Sequence, residues 1–386
     1  MANFLFIEGL ELDFFNPRSL LCFIAVLQGA VFAALLFARY VKLKKTADFW
    51  LGVLLVVLCS ALITPLIGFA NVYDRNQWLT YFPFSIAYSY GVLVWLYVLH
   101  LTDSKRVFSK KDALLFVPTI IYLAFRFFLF SHGLEWKNWF GTNYDKPLNA
   151  FIFITEFVWN LAFLYFAVRH YRKYRRWLDE NYSDTEKIKF DWLKNFLYVF
   201  TFVLILSAIF DFTGNFVFRL SYIQYFYFEI VLALATYYLA IAGYLRSQTI
   251  ELNFTEEKGV EVEERKTLLP ENELEKLKAK LQNLMEKEKV YREPNLTLTD
   301  LSRRVGVNST VLSYAINNGF GVNFNDFING FRIAEVKEKL QTADDATLLG
   351  IAFDCGFNSK ATFNRAFKKF TGVSPKEFQE NLASQS

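Results

Sequence analysis

Histidine and cysteine are scarce in this chain, three of each among 386 residues. Cys22, Cys59 and Cys355 lie too far apart for a metal-ligand spacing and are too few for a disulfide framework. His100, His132 and His170 are as scattered, each at or near the end of an apolar run, and read as ordinary interface residues. No Gly-rich phosphate loop and no nucleophile with a neighbouring base is present, so the sequence points to no catalytic centre, metal or cofactor. A basic stretch ahead of the first apolar run is also missing. Glu8, Glu11 and Asp13 stand there instead, and no small-residue cleavage site follows, which argues against a cleavable signal peptide.

Apolar residues, by contrast, abound. They make up 54% of the chain, with 44 Phe, more than a soluble core needs. The excess ends at Arg246. Seven runs before it, near 18–40, 48–69, 79–101, 113–130, 149–168, 193–213 and 222–245, are long enough to cross about 30 Å of hydrocarbon as helices. The turns between them alternate in charge. Lys42, Lys44 and Lys45 follow the first run, and Lys105, Arg106, Lys110 and Lys111 follow the third. Arg169, Arg172, Lys173, Arg175, Arg176, Lys187 and Lys189 follow the fifth. The opposite turns hold little beyond Arg75, Lys137, Lys146 and Arg219. By the positive-inside rule the N-terminus faces outward and the C-terminal part faces the cytoplasm of a bacterial inner membrane. Trp50, Trp78, Tyr81, Trp192 and Tyr222 fit interfacial belts. A soluble helical protein would not show this alternation.

Within the runs, Arg126, Glu156, Asp211 and Glu229 each cost about 2.5–3.5 kcal/mol at mid-bilayer. All four fall in the outward halves, with Gln28 and Asn160 lower down. Two readings stay open. Either these groups line a pocket for a small polar ligand at the outer face, or Arg126 pairs with the carboxylates and pins helices together.

After Arg246 the chain turns polar. Residues 247–270 are acidic and lack an apolar period, which reads as a tether ending at Pro270. Residues 271–290 read as a helix with Leu274, Leu277, Leu281 and Leu284 at 3-4-3 spacing. That stripe is either a short coiled-coil seam, giving a homodimer, or the packing face against the next domain.

From residue 291 on, 11 Lys/Arg balance 10 Asp/Glu, so attraction to nucleic acid must rest on where charges sit. Thr297 and Asp300 have capping-box spacing for a helix through Val305, with Leu298, Leu301 and Val305 on one face. Gly306 permits a turn, and Asn308 caps a second helix through about Asn317. Leu312, Ala315 and Ile316 face its core, which leaves Thr310, Ser313 and Tyr314 outward, as a recognition helix presents them. A connecting helix spans about Asn323–Gln341, with Phe324, Phe327, Ile328, Phe331, Ala334 and Leu340 apolar.

The pattern then repeats. Thr347 caps a helix through Asp354, Cys355-Gly356-Phe357 turns, and Asn358 caps a helix through about Phe370, with Phe363, Phe367 and Phe370 as its buried stripe. Lys360, Asn364, Arg365 and Lys368 point away from that stripe. Arg suits guanine, Asn suits adenine, and Lys368 and Lys369 suit phosphates, as do Arg303 and Arg304 of the first unit. Ser374-Pro375-Lys376-Glu377 starts a last short helix.

Two such units joined by one helix resemble the DNA-binding domain of AraC/XylS transcriptional regulators over about residues 285–382. The motifs that carry the resemblance are Ile351-Ala352-x-x-Cys355-Gly356-Phe357-x-Ser359, Phe363-x-Arg365-x-Phe367-Lys368-Lys369 and Gly372-Val373-Ser374-Pro375. The resemblance implies base-contacting positions at Thr310, Ser313 and Tyr314, and at Lys360, Ala361, Asn364 and Arg365. Gly350 stands where that family usually has Glu, Ala361 where it has Ser, and Tyr314 where Arg is frequent. The expected architecture is all-α: a seven-transmembrane bundle (1–246), a linker (247–270), an amphipathic helix (271–290) and an AraC-type domain (291–386) with units near 298–317 and 347–370. The expected partners are double-stranded DNA, the lipid bilayer and, for an activator, RNA polymerase. The rival readings are a transporter or receptor with a regulatory tail, and a ligand-independent tethered repressor.

Overall fold

The computed structural model describes residues 16–185, 191–245, 254, 269–342 and 347–383. Among them every helix or strand element is helical, and an isolated antiparallel bridge joins Tyr182 to Thr297. Glu8, Glu11, Asp13, Lys187 and Lys189 fall outside the described residues, as does most of the 247–270 segment. The chain divides into two compact units, residues 1–171 with 191–253 and residues 172–190 with 254–386.

The first unit contains α1 (Pro17–Leu43), α2 (Thr46–Phe69), α3 (Tyr90–Thr102), α4 (Val117–Phe130), most of α5 (Leu134–Asn181), α6 (Asp191–Phe212) and α7 (Tyr222–Leu245). α1 starts where it does because Asn16 Oδ1 accepts from the N–H groups of Arg18 and Ser19, at 3.0 and 2.9 Å, ahead of Pro17 at the first helical position. Lys44, left-handed at φ 56°, turns α1 into α2. Beside that turn the Arg39 guanidinium donates twice to the Asp48 carboxylate, at 2.7 Å each, and once to the Tyr244 carbonyl, at 2.7 Å. The bidentate pair ties α1 to α2, and the bond to the Tyr244 carbonyl adds α7. α3 meets α5 at close range because Gly91 has no Cβ. A Cβ there would lie 2.9 Å from the Asn160 backbone, and the Gly91 N–H donates to Asn160 Oδ1 at 2.8 Å.

Among the described residues six stretches are long and apolar enough to cross a membrane: Pro17–Leu43, Thr46–Phe69, Lys110–Phe130, Leu134–Asn181, Asp191–Val217 and Tyr222–Leu245. The expected run from 79 to 101 is corrected, because its helix covers only Tyr90–Thr102, about 20 Å of rise. Pro83 lacks the N–H an earlier start would need, and Tyr81 and Tyr88 sit at φ 70° and 65°, off any helical path. The non-helical stretch is held by aromatic packing instead, with the Phe82 ring 5.2 Å from Phe130 and 6.0 Å from Phe127. α5 outruns its expected 149–168 span at both ends. Upstream, Trp136 and Phe140 stack at 5.0 Å; downstream, its Arg, Lys, Leu and Glu residues are strong helix formers.

The second unit holds the end of α5, then α8 (Glu271–Glu286), α9 (Leu298–Val305), α10 (Ser309–Phe320), α11 (Phe324–Thr342), α12 (Leu348–Asp354), α13 (Lys360–Thr371) and α14 (Pro375–Ala383). It has two cores. One joins α8, α9 and α10 to the start of α11; the other joins the later part of α11 to α12 and α13. α8 ends at Glu286, short of the expected Val290, and Lys289 beyond it is left-handed at φ 49°. Leu277, Leu281 and Leu284 are buried in the first core, with Leu274 packed against it. Of the two readings of this stripe, coiled-coil seam or packing face against the next domain, the leucines take the second. Of the 247–270 tether, Phe254 is buried against Tyr174 and Trp177 of α5, with ring centroids 5.7 and 5.4 Å apart.

Candidate nucleic-acid interface

Each helix-turn-helix unit is set by caps and one glycine turn. Thr297 and Asp300 form a full capping box at α9, and Gly306, at φ 78°, makes the turn. Asn308 Oδ1 accepts the Val311 N–H at 2.8 Å and starts α10. In the second unit Thr347 caps α12, accepting the Gly350 N–H at 3.2 Å. Each such cap is worth about 1 kcal/mol.

α13 is capped one residue later than expected. Ser359 Oγ accepts the Thr362 N–H at 3.1 Å, while Asn358 Nδ2 donates to Asn295 Oδ1 at 2.8 Å. Both residue types cap well, and a partner across the domain draws Asn358 away. Ser374 and Glu377 close a capping box at α14 through bonds of 3.3 Å each.

On α10, Leu312, Ala315 and Ile316 are buried; Thr310 is exposed and Ser313 and Tyr314 are half-buried. On α13, Phe363 and Phe367 are buried, and Lys360, Ala361, Asn364, Arg365, Lys368 and Lys369 are exposed. Phe370 departs from its expected place in the stripe: it is 43% exposed, because the α13 core face is completed by Ala366 instead. Ala334 is likewise exposed on α11, where Arg332, Ile333, Glu335 and Val336 turn inward.

Several of the basic groups are tied to carboxylates. Lys369 Nζ donates to both Asp326 oxygens, at 2.5 and 2.7 Å, and Arg304 to Glu293 at 2.8 Å. Arg303 is 76% exposed, 3.7 Å from Asp300.

A buried polar network inside the second compact unit holds the two helix-turn-helix units together, and sequence pattern alone did not reveal it. Arg332 on α11 has no exposed surface. Its guanidinium donates to the carbonyls of Tyr291 and Glu293 at 2.6 Å each, to Asn329 Oδ1 at 3.2 Å and to Ser183 Oγ at 3.4 Å, and it lies 5.6 Å from the Phe357 ring centroid. Burial pulls its pKa down to about 10, against the charge of Asp184, so it stays cationic at neutral pH. One turn on, buried Glu335 accepts from Arg292 and Lys289. Burial pushes its carboxyl up, but the Arg292 and Tyr291 hydrogen bonds and the Arg292 and Lys289 charges prevail and hold it at about 2. The signal in the sequence was polar residues at core positions of an otherwise amphipathic helix. Burial pushes the nearby Cys355 thiol up to about 11, away from reactive thiolate.

In the first unit, Glu156, Asp211 and Glu229 line one cavity of about 480 Å³, together with Asn160, Ser207 and Tyr90. Ser207 Oγ donates to Asp211 at 3.1 Å, and Glu229 Oε2 is buried without a hydrogen-bond partner among the described residues. Arg126 is not in the lining; its guanidinium sits 5.2 Å from the Tyr81 ring centroid.

Residues 301–381 match the family model described as a helix-turn-helix domain. An uncharacterised HTH-type transcriptional regulator of Staphylococcus aureus strain COL is 40% identical over 85 residues, 22% of this chain and 11% of that protein. The uncharacterised HTH-type transcriptional regulator YtdP of Bacillus subtilis strain 168 is 28% identical over 92 residues, 24% of this chain and 12% of that one. The match thus spans about a tenth of the length of these relatives. The solved structure of a Listeria innocua protein of unknown function is 28% identical, covering 27% of this chain and 94% of that one at a TM-score of 0.24. Over residues 301–381 the chain carries a helix-turn-helix domain, similar to part of proteins named as HTH-type transcriptional regulators.

Proposed function

We propose that this chain is a membrane-anchored, sequence-specific transcriptional regulator of the AraC type, which couples a membrane or extracytoplasmic signal to promoter binding. The observation that carries this reading is the exposed face of α13. Lys360, Asn364 and Arg365 stand in solvent on the first turns of a capped helix within the matched domain, on the same chain as six long apolar helices. Those helices turn large apolar side chains outward. Leu20, Ile24, Leu27 and Val31 form one such stripe along α1, between 43 and 53% exposed, which lipid solvates and water does not. With loop charge as expected from the sequence, the domain lies on the cytoplasmic side, where the chromosome is. Glu156, Asp211 and Glu229 then line a pocket that receives a small polar ligand from the outer face. A ligand that binds one arrangement of α5, α6 and α7 more tightly than another shifts the population of the DNA-competent state.

On this reading Arg365 and Asn364 read base edges and Lys368 contacts phosphate, with Thr310, Ser313 and Tyr314 as the first unit's readers. Arg365→Ala in the full chain, reconstituted in nanodiscs, is expected to cost about 1–3 kcal/mol of binding to a selected duplex and to relax sequence preference at one position. Lys368→Ala should weaken all duplexes alike and flatten the salt dependence. Unchanged affinity and salt slope in both variants defeat the assignment. Protease cleavage of a C-terminal tag from outside intact spheroplasts defeats the topology.

A further inference from the structure

The loop that follows α5 is part of the second unit. Ser183 and Thr185 are 0% and 2% exposed. The Ser183 N–H and Oγ both donate to the Leu296 carbonyl, at 3.2 and 2.7 Å, just before the capping box of α9. Asn325 of α11 donates to the carbonyls of Tyr182 and Ser183, at 2.9 Å each, and Asn329 donates to the Ser183 carbonyl at 3.1 Å. On the far side, Thr362 Oγ1 of α13 donates to Asp184 Oδ1 at 2.8 Å. Four residues thus touch the entry of the first helix-turn-helix unit, the connecting helix and the second recognition helix at once. Nothing about a two-unit DNA reader requires a segment from between two apolar runs to sit there.

The charge that arrives with the loop opposes DNA. A small groove of about 110 Å³ beside it is lined by Arg365 and Lys369 of α13, by Asp179 from the end of α5, and by Asp326. Asp184 adds a third carboxylate at the first turn of the same helix. Arg365, the proposed base reader, and Lys369 therefore share a groove with carboxylates, with Lys369 already bound to Asp326. A phosphate backbone approaching α13 has to compete with these groups for the same cations and is repelled by Asp184.

We propose that residues 182–185 are an intramolecular latch that keeps the second recognition helix in a low-affinity state until the loop leaves. α5 is one continuous helix from Leu134 to Asn181, so the latch is the direct C-terminal continuation of an apolar span. This inference rests on the reading of α13 as a DNA reader.

Asp184→Cys with Thr362→Cys places two thiols where the Asp184–Thr362 hydrogen bond now stands, and the native Cys22, Cys59 and Cys355 are all buried. The full chain in nanodiscs is titrated with a fluorescent duplex pool of random sequence, oxidised and then reduced. The reduced form is expected to bind at least about tenfold more tightly. Equal binding, or tighter binding by the oxidised form, overturns the latch while leaving the DNA-reading assignment in place. Failure of both forms and of the unaltered chain to bind duplex overturns both. A second readout needs no engineered cysteine. In the unaltered chain the Ser183 amide, bonded to Leu296, should lose hydrogen-exchange protection when duplex saturates the protein. Protection that stays the same or rises with duplex bound also overturns the latch.

Discussion

Arg332→Met tests the network that joins the two helix-turn-helix units. Methionine keeps the unbranched stem and removes the guanidinium. Tyr291 O then loses its 2.6 Å bond from a charged donor, and Glu293 O loses another, keeping only a 3.4 Å bond from the Leu296 N–H. Hydrogen bonds to charged groups are worth about 1.5–3 kcal/mol each, so the gross loss is about 3–6 kcal/mol. Against this stands the cost of keeping a guanidinium with no exposed surface, which the substitution removes. The net expectation is a loss of about 2–4 kcal/mol, because the Tyr291 carbonyl is left dry, the Glu293 carbonyl keeps only its long bond, and the methionine offers them nothing. At about 1.4 kcal/mol per tenfold, the most protected amides of α11 should exchange about 30- to 700-fold faster in the full chain. The assay is amide hydrogen exchange on the reconstituted protein. Protection that is unchanged, or higher, refutes the reasoning: dehydration of the cation would then weigh as much as everything it holds.

Three further substitutions bear on the same domain. Glu335 sits at about 2 against an ordinary 4.5, so its ionised form stabilises the domain above about pH 4.5, and that contribution disappears as pH falls from 4.5 towards 2. Glu335→Gln should be less stable at pH 7 and lose less over that window, read from the methyl signals of Ile333 and Val336 during acid titration; parallel acid curves for the two proteins refute it. Gly356→Ala should be markedly worse than Gly372→Ala, although both glycines have positive φ, 96° and 83°. A Cβ at 356 would lie 2.6 Å from Tyr291 O and 2.7 Å from the Arg292 backbone, whereas at 372 it meets nothing within 4 Å. The second variant costs only the left-handed strain, about 1–2 kcal/mol, and thermal melts of the two should separate clearly.

The helix-turn-helix units were legible because their signals are local. Thr297 with Asp300, Asn308, Thr347 and the glycine turns at 306 and 356 act through bonds spanning three or four residues, which spacing displays directly. What depends on distant partners was not legible. Asn358 and Ser359 are both good caps, and only the bond from Asn358 to Asn295, 63 residues away, decides between them. Arg332 and Glu335 look like the polar side of α11 until the loop at 183 and the turn at 290–293 are seen to close over them. The third apolar run fails as a full-length helix for the opposite reason. Its breaker, Pro83, is in plain view, but a hydrophobic count over 79–101 gives one proline no weight. The leucine stripe of α8 has the period of a coiled coil and the surroundings of a domain core, and period alone does not separate them.

The near balance of charge over residues 291–386 takes on meaning once partners are assigned. Arg292 belongs to Glu335, Arg304 to Glu293, Lys369 to Asp326, and Arg332 is sealed beneath the loop. Much of the positive charge is thus committed to holding the domain together. Lys360, Arg365 and Lys368 on α13, Arg303 on α9, Lys337 on α11 and Lys376 on α14 are exposed. Cations already held by carboxylates contribute less to counterion release, and nonspecific attraction to any duplex is correspondingly weaker. Under the proposed function, discrimination then falls to the base-edge donors and acceptors of α13 and to Thr310, Ser313 and Tyr314 of α10, since phosphate contacts position a protein without reading sequence. A domain built this way gains little from DNA in general, and a small change in how freely α13 presents Arg365 weighs heavily. That is the setting in which four residues and one carboxylate at 182–185 have leverage over binding.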